Sequence, residues 1–329
     1  MFTGCSIFRS IFNGNTSVSA SAIVSAKASI YSQPDLLAPD IEEATVSASA
    51  KASATSTPTQ APKPSPIYVN GKACYLTFQD DFNGTSLNRS TWYCETGDGS
   101  SSGLWRWGNE EDEYYLPQNA VVSDGTLKII AKKESRNGYQ YTSARINTKN
   151  SFSQTYGRFE AKIKLPAERG MWPAFWLLPV ANTYNPSGNT WPANGEIDIM
   201  ESKGRLPTTV SCALHWANSS GQDKYSSRWL ESSGYRIDDW HVYAVEWTSS
   251  KIEYYVDNTK LLTVNRSDWN GGFYSGKGTT APFDKNFYII LNLAVGGKFD
   301  KENGVKVSPS DDFVSATMEI DYVKVYKFA

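Results

Sequence analysis

From residue 67 onward the chain is built of short apolar or alternating runs separated by Asn, Gly and Pro. The clearest alternation lies at 156–165. Phe159, Ala161, Ile163 and Leu165 fall on one face there, and Arg158, Glu160, Lys162 and Lys164 on the other, the period of a half-buried strand. Residues 172–178 are apolar throughout, as expected of a strand buried on both faces. Residues 76–84 read as a strand running into a turn. Further strands are predicted at 119–123, 126–131, 139–148, 196–201, 209–216, 241–247, 252–256, 287–293 and 317–326. Asp124-Gly125 is a hairpin dipeptide, and Asn137-Gly138 marks another turn. No long segment carries a helical period. Many short strands with turn residues between them predict an all-β sandwich or barrel.

Residues 1–66 have a different texture. Ser, Ala, Thr and Pro dominate, Val18-Ser19-Ala20-Ser21-Ala22 recurs as Val46-Ser47-Ala48-Ser49-Ala50, and residues 57–66 are rich in proline. Such a segment cannot bury a core and is expected to be a disordered tail or linker. The folded unit is therefore expected at 67–329.

Within the strand pattern one stretch stands apart: Gly195-Glu196-Ile197-Asp198-Ile199-Met200-Glu201. On a regular strand Glu196 and Asp198 share a face, with Ile197 and Ile199 behind, and Glu201 falls on the wrong side. One surplus residue restores it, so a β-bulge is predicted at Ile199-Met200, bringing all three acids into one cleft. Like charges on one face repel, and at least one carboxyl should hold its proton unusually tightly. A pair of carboxyls in opposite protonation states is what glycoside hydrolysis requires, one as nucleophile and one as general acid. A calcium site or a solvated acidic strand are the alternatives. Calcium prefers loop oxygens and backbone carbonyls, and a solvated strand has no need of Ile, Ile and Met between its acids.

Composition narrows the partners. The formal net charge is −2, which gives no basic face for nucleic acid. Aromatic residues make up 13%, which suits a β-sandwich core or a groove that stacks on sugar rings. The four cysteines, Cys5, Cys74, Cys94 and Cys212, lack metal-ligand spacing; Cys74 and Cys94 could pair, and Cys212 lies in an apolar run. Two histidines leave little for a histidine-built metal site. No run has the length of a transmembrane helix. Residues 1–12 are interrupted by Arg9 and do not form a clear secretion signal, which is consistent with a truncated start or a longer precursor. Asn15, Asn83, Asn88, Asn218 and Asn265 sit in glycosylation triplets, weak support for an extracellular place.

The acid motif resembles the signature of glycoside hydrolase family 16, in the bulged form of its endo-β-1,3-glucanases (laminarinases) and β-1,3(4)-glucanases. The resemblance covers about residues 76–328. It extends to Trp107-Gly108-Asn109-Glu110-Glu111, Tyr156-Gly157-Arg158-Phe159-Glu160-Ala161, Met171-Trp172-Pro173-Ala174-Phe175-Trp176, Leu214-His215-Trp216, Leu291-Asn292-Leu293-Ala294-Val295-Gly296-Gly297 and Ile320-Asp321-Tyr322-Val323-Lys324-Val325-Tyr326. It implies a β-jelly-roll of two curved antiparallel sheets with an open concave cleft, and a monomeric enzyme acting on β-glucan outside the cell or at a cell wall.

The resemblance also implies roles. Glu196 would be the nucleophile, Glu201 the acid/base and Asp198 the residue that orients Glu196. Trp172 and Trp176, four residues apart on one strand face, would line the cleft. Trp107, with Trp105 and Trp191, lies in a loop by the sequence pattern and on that ground is expected to meet the sugar at the rim. Asn109 and Arg145 would contact sugar hydroxyls, His215 would reach the sugar or leaving group near Glu201, and Asn292 would assist. Catalysis would need no cofactor. A structural calcium would use Asp321. Residues 218–234 and 270–284 would be loops that shape the subsites. The alternatives on the same scaffold are a β-glucan recognition protein, against which the intact acids speak, a transglycosylase, and enzymes acting on agar, carrageenan or xyloglucan.

Overall fold

The computed structural model describes residues 65–329 apart from 185–190 and 279. The predicted tail thus lies outside the described residues except for Ser65 and Pro66. Strand is the main regular structure of the described chain, folded as a jelly-roll of two sheets whose ladders are antiparallel apart from the parallel pair Glu113–Tyr115 with Tyr141–Ser143.

The seven-stranded sheet runs in the order Asp223–Glu231, Thr209–Ala217, Glu196–Glu201, Met171–Pro179, Phe287–Val295, Arg145–Asn147 and Tyr93–Cys94. The eleven-stranded sheet centres on Gly157–Lys164, Ser315–Phe328 and Thr126–Lys132. His241–Trp247, Lys251–Val256 and Thr259–Asn265 extend one side, and Tyr141–Ser143 and Glu113–Tyr115 the other. One core fills the space between the sheets, with Phe159, Ala161, Ile163, Phe175, Leu177, Ile197, Met200, Leu214, Leu291 and Val323 among its members.

Local chemistry explains most of this. Asp124 and Gly125 both adopt positive φ, 55° and 75°, and join Ala120–Ser123 to Thr126–Lys132 as a two-residue hairpin. The polar face of Gly157–Lys164 is less wet than alternation alone predicts. Arg158 is buried and bonds Glu160 at 2.7 Å and Glu246 at 3.2 Å, and Lys72 also pairs with Glu246.

Four expectations change. The run 139–148 is two strands, because the chain crosses from one sheet to the other at Ala144. Residues 223–231, expected as part of a loop, form the edge strand Asp223–Glu231; its charged and largely exposed residues disguise it. Thr259–Asn265 is an unexpected strand, since the turn Asp257-Asn258 supplies its positive φ values without glycine. Cys74 and Cys94 are not bonded, because Cys74 belongs to the strand Lys72–Asp80 of one sheet and Cys94 to the other sheet. Cys212, in its apolar run, is a buried thiol. No helix among the described residues is long and apolar enough to cross a membrane.

Candidate active site

The acid strand Glu196–Glu201 lies between Met171–Pro179 and Thr209–Ala217. On one side Met200 pairs with Phe175 and Asp198 with Trp176. On the other side Asp198 pairs with Ala213 and Glu201 with Ser211. The break in both ladders leaves Ile199 without its own cross-strand position, which is the predicted bulge. Ile197, Ile199 and Met200 enter the core, while Glu196, Asp198 and Glu201 line a cavity of about 80 Å³ on the other face. Trp172, Trp176, Asn109, Arg145 and Asn292 line the same cavity.

Each tryptophan of the cleft is fixed by its indole N–H. Trp172 donates to Glu201 Oε1 at 3.0 Å, and Trp176 donates to Asn292 Oδ1 at 2.7 Å. Trp172 also stacks on Phe299 at 4.8 Å, and Phe299 on Trp229 at 5.9 Å, with the Lys203 ammonium over the latter two rings. Gly297 explains the glycine pair of the sequence. Its φ is +80°, and a Cβ there would lie 2.9 Å from the Trp172 ring.

Arg145 is nearly buried. Its guanidinium lies between the rings of Trp107 and Trp176, 4.7 and 4.8 Å from their centroids, and its Nε donates to Glu95 at 3.1 Å. Trp107 corrects an expectation. Only 5% exposed, it donates to the Gly97 carbonyl and packs on Tyr115, so it braces Arg145 from below instead of meeting a ligand at the rim. Trp105 and Trp191 are exposed; Trp191 lies 5.8 Å from the His215 ring.

His215 sits opposite Glu196 in the ladder, not opposite Glu201. Its Nε2 is 3.5 Å from Asp198 Oδ2, and its Nδ1 is 3.1 Å from Asp223 Oδ1. Burial pulls the imidazole down, but the Asp223 hydrogen bond and the Glu196 charge outweigh it and hold the pKa above the ordinary value. Asp223, Phe299 and Glu95 carried no signal in the sequence, because each reaches the site only through cross-strand pairing or packing.

All three acids have raised proton affinity. Burial is the leading cause in each. For Asp198 the neighbouring carboxyls also raise it, chiefly the Glu196 charge, and its Oδ2 is buried without a hydrogen bond, the His215 Nε2 standing 3.5 Å away. Burial and the like charges around it thus favour the protonated form of Asp198. Glu196 feels His215 and Arg145, which favour its charge, while Glu201 feels the Trp172 N–H, His215 and Lys203. Ligand atoms of Glu196, Asp198 and His215 lie within 4.8 Å of one another, a spacing that also suits a cation.

Asp321 lies elsewhere. It occupies a bulge of Ser315–Phe328, and its Oδ2 is 2.8 Å from Lys162 Nζ. No group of three acidic, histidine or cysteine side chains gathers around it among the described residues. The side chains present make an ion pair and do not by themselves make a calcium site. A larger cavity of about 620 Å³ opens beside Trp105, Arg106 and Tyr139, but its Asp112 is neutralised by Arg106 and Lys306. The acid cleft is thus the reaction centre the geometry supports.

Comparison with known proteins agrees with this geometry. The profile described as "Glycosyl hydrolases family 16" matches residues 109–324. Glucan endo-1,3-beta-glucosidase A1 of Niallia circulans is 41% identical over 269 residues, which are 77% of this chain and 38% of that protein. Beta-glucanase of Rhodothermus marinus is 38% identical over 235 residues, 68% of this chain and 76% of that one. The chain therefore matches well under half the length of the first relative. The X-ray structure of endo-beta-1,3-glucanase from Pyrococcus furiosus superposes with a TM-score of 0.67 at 36% identity, covering 81% of this chain and 99% of that chain.

Proposed function

The chain belongs to glycosyl hydrolases family 16, and from that premise we propose that it is a retaining endo-acting glucanase that cleaves β-1,3-glucan, mixed β-1,3-1,4-glucan or both. The observation that carries the reading is the bulge, which turns Glu196, Asp198 and Glu201 to one face beside two anchored tryptophans.

In the first step the Glu196 carboxylate attacks the anomeric carbon while the glycosidic C–O bond breaks and Glu201 gives its proton to the leaving oxygen. The product is a glycosyl ester on Glu196. Glu201, now a base, takes a proton from water, the water oxygen attacks the same carbon, and Glu196 is released. Two inversions retain the configuration. Neutral Asp198 can donate a hydrogen bond to Glu196 and hold it as the carboxylate. The indoles of Trp172 and Trp176 offer flat apolar faces for the sugar rings. No step requires a metal or organic cofactor. A cleft built on an open sheet face suits internal cleavage of a polymer. A polymeric substrate supports a place outside the cell or at a wall.

The test is release of reducing ends from laminarin and barley β-glucan in parallel, with Glu201→Gln as control. Cleavage lost by roughly 10³-fold or more in the variant is expected. Near-normal activity in Glu201→Gln or Glu196→Gln overturns the assignment. Binding of laminarin without cleavage by the unsubstituted protein would make it a recognition protein. Longer products from laminarin would make it a transglycosylase.

A further inference from the structure

Two further carboxyls that the reaction does not use lie at the cleft, Glu111 in its lining and Glu113 buried two residues on. Glu113, on the strand Glu113–Tyr115, has no solvent exposure; its Oε2 accepts from the Val295 N–H at 2.7 Å, and its Oε1 is buried with no donor in reach. Glu111, two residues earlier, is 3% exposed, and its charge acts directly on Glu113. Neither pairs with a lysine or arginine among the described residues, and the cation whose field reaches Glu111, Arg145, is committed to Glu95 at 3.1 Å. Two adjacent buried carboxylates without a counter-ion are not tenable, so one proton lies between them.

The neighbouring hydrogen bonds say where. An indole N–H only donates. Trp176 Nε1 therefore requires Asn292 Oδ1, which it meets at 2.7 Å. Asn292 then presents Nδ2 to the Tyr115 hydroxyl at 3.2 Å, and Tyr115 must donate onward, to Glu111 Oε2 at 3.0 Å. Glu111 Oε1 accepts from Asn109 Nδ2 at 3.3 Å. With both oxygens accepting, Glu111 is the carboxylate. A proton on Glu113 Oε1, donated to Glu111, gives the orphaned atom its partner. We propose that Glu111 and Glu113 hold one proton between them, on Glu113, and that this pair positions Asn109 and, through Tyr115 and Asn292, the Trp176 indole. The pair makes positioning residues, not catalytic ones. Their role rests on the glucan reading, but their shared proton does not.

Burial and the Glu111 charge both push Glu113 well above the carboxylate range. The groups that face the pair are Arg145, Asn109, Tyr115 and, acting through its phenol, Tyr139; Arg106 nearby is held by Asp112. A carboxyl with raised folded-state affinity contributes its full stability below its unfolded pKa of about 4.3 and loses it as pH rises toward the folded value. Glutamine at this position reproduces the neutral acid, accepting from Val295 and donating to Glu111, and cannot ionise when unfolded. Relative to the wild type, Glu113→Gln should therefore gain several degrees of melting temperature between about pH 4 and about pH 8. A difference that is flat across this range, or a Glu113→Gln protein that does not fold, overturns the shared proton. For the positioning role, Tyr115→Phe in the Glu201→Gln background should weaken laminarin-oligosaccharide binding about tenfold by calorimetry. Unchanged affinity removes that role. If the Glu201→Gln protein itself does not bind, the glucan reading fails, while the melting series, which uses no ligand, still decides the proton.

Discussion

At Asp198 burial and the surrounding carboxyls act in one direction, with the His215 imidazole 3.5 Å away as the opposing group. Asp198 is 5% exposed, with Glu196 and Glu201 on its own strand face and the Asp223 charge beyond, and all of these favour the protonated form. The raised affinity has a definite sign. Stability from this group is complete below its unfolded pKa, about 3.9, and declines as pH climbs through the range where the unfolded chain ionises and the folded one does not. Asp198→Asn should therefore melt higher than the wild type at about pH 8, with the advantage gone at about pH 4. Melts across that range check it, and a pH-independent difference contradicts it. Activity should fall in the order wild type, Asn, Ala, because Asn keeps an N–H toward Glu196 and Ala loses about 10²–10³ in kcat with the donor gone. The acids were legible in the sequence because their spacing is unusual on a strand. Trp107 was not, since a loop tryptophan looks the same in sequence whether it faces solvent or, as here, supports Arg145.

At the scale of the element, the bulge sets which face Glu201 occupies. Two consecutive residues, Ile199 and Met200, point into the core. Deleting Ile199 would return the strand to simple alternation, with Glu196, Asp198 and Glu201 still on one face, so activity should stay above the Glu201→Gln baseline. Inserting one alanine after Ile199 likewise makes the spacing from Asp198 to Glu201 even, so it too keeps Glu201 on the acid face and should leave activity above that baseline. Reducing-end assays on both variants decide the matter; activity at the Glu201→Gln baseline in both would mean that side-chain parity does not control the site. The bulge could be anticipated because the apolar residues on either side fix which face is buried. The strand Asp223–Glu231 could not, because an edge strand exposed along its length needs no alternation. With it His215's partner Asp223 was lost from view.

For the whole molecule, two sheets over one core were legible from strand count and turn residues alone, and the family motifs narrowed them to a jelly-roll. What sequence could not supply was which strands become neighbours, and hence the convergence of Glu111, Arg145, Trp176 and Asn292 from four separate segments. Calcium belongs to this scale. With Lys162 on the Asp321 carboxylate, chelation is expected to leave the melting temperature unchanged; a clear drop on EDTA, restored by calcium, would show that backbone carbonyls complete a site there after all. The hydrogen bond from Trp172 to Glu201 reaches further than the placement of either residue. The surface on which a sugar rests and the group that moves the proton are one unit. Occupancy of the cleft and the acid strength of Glu201 are then thermodynamically linked. By reciprocity, a sugar that alters this contact changes how tightly Glu201 holds its proton, and the ionisation of Glu201 changes how tightly the sugar is held.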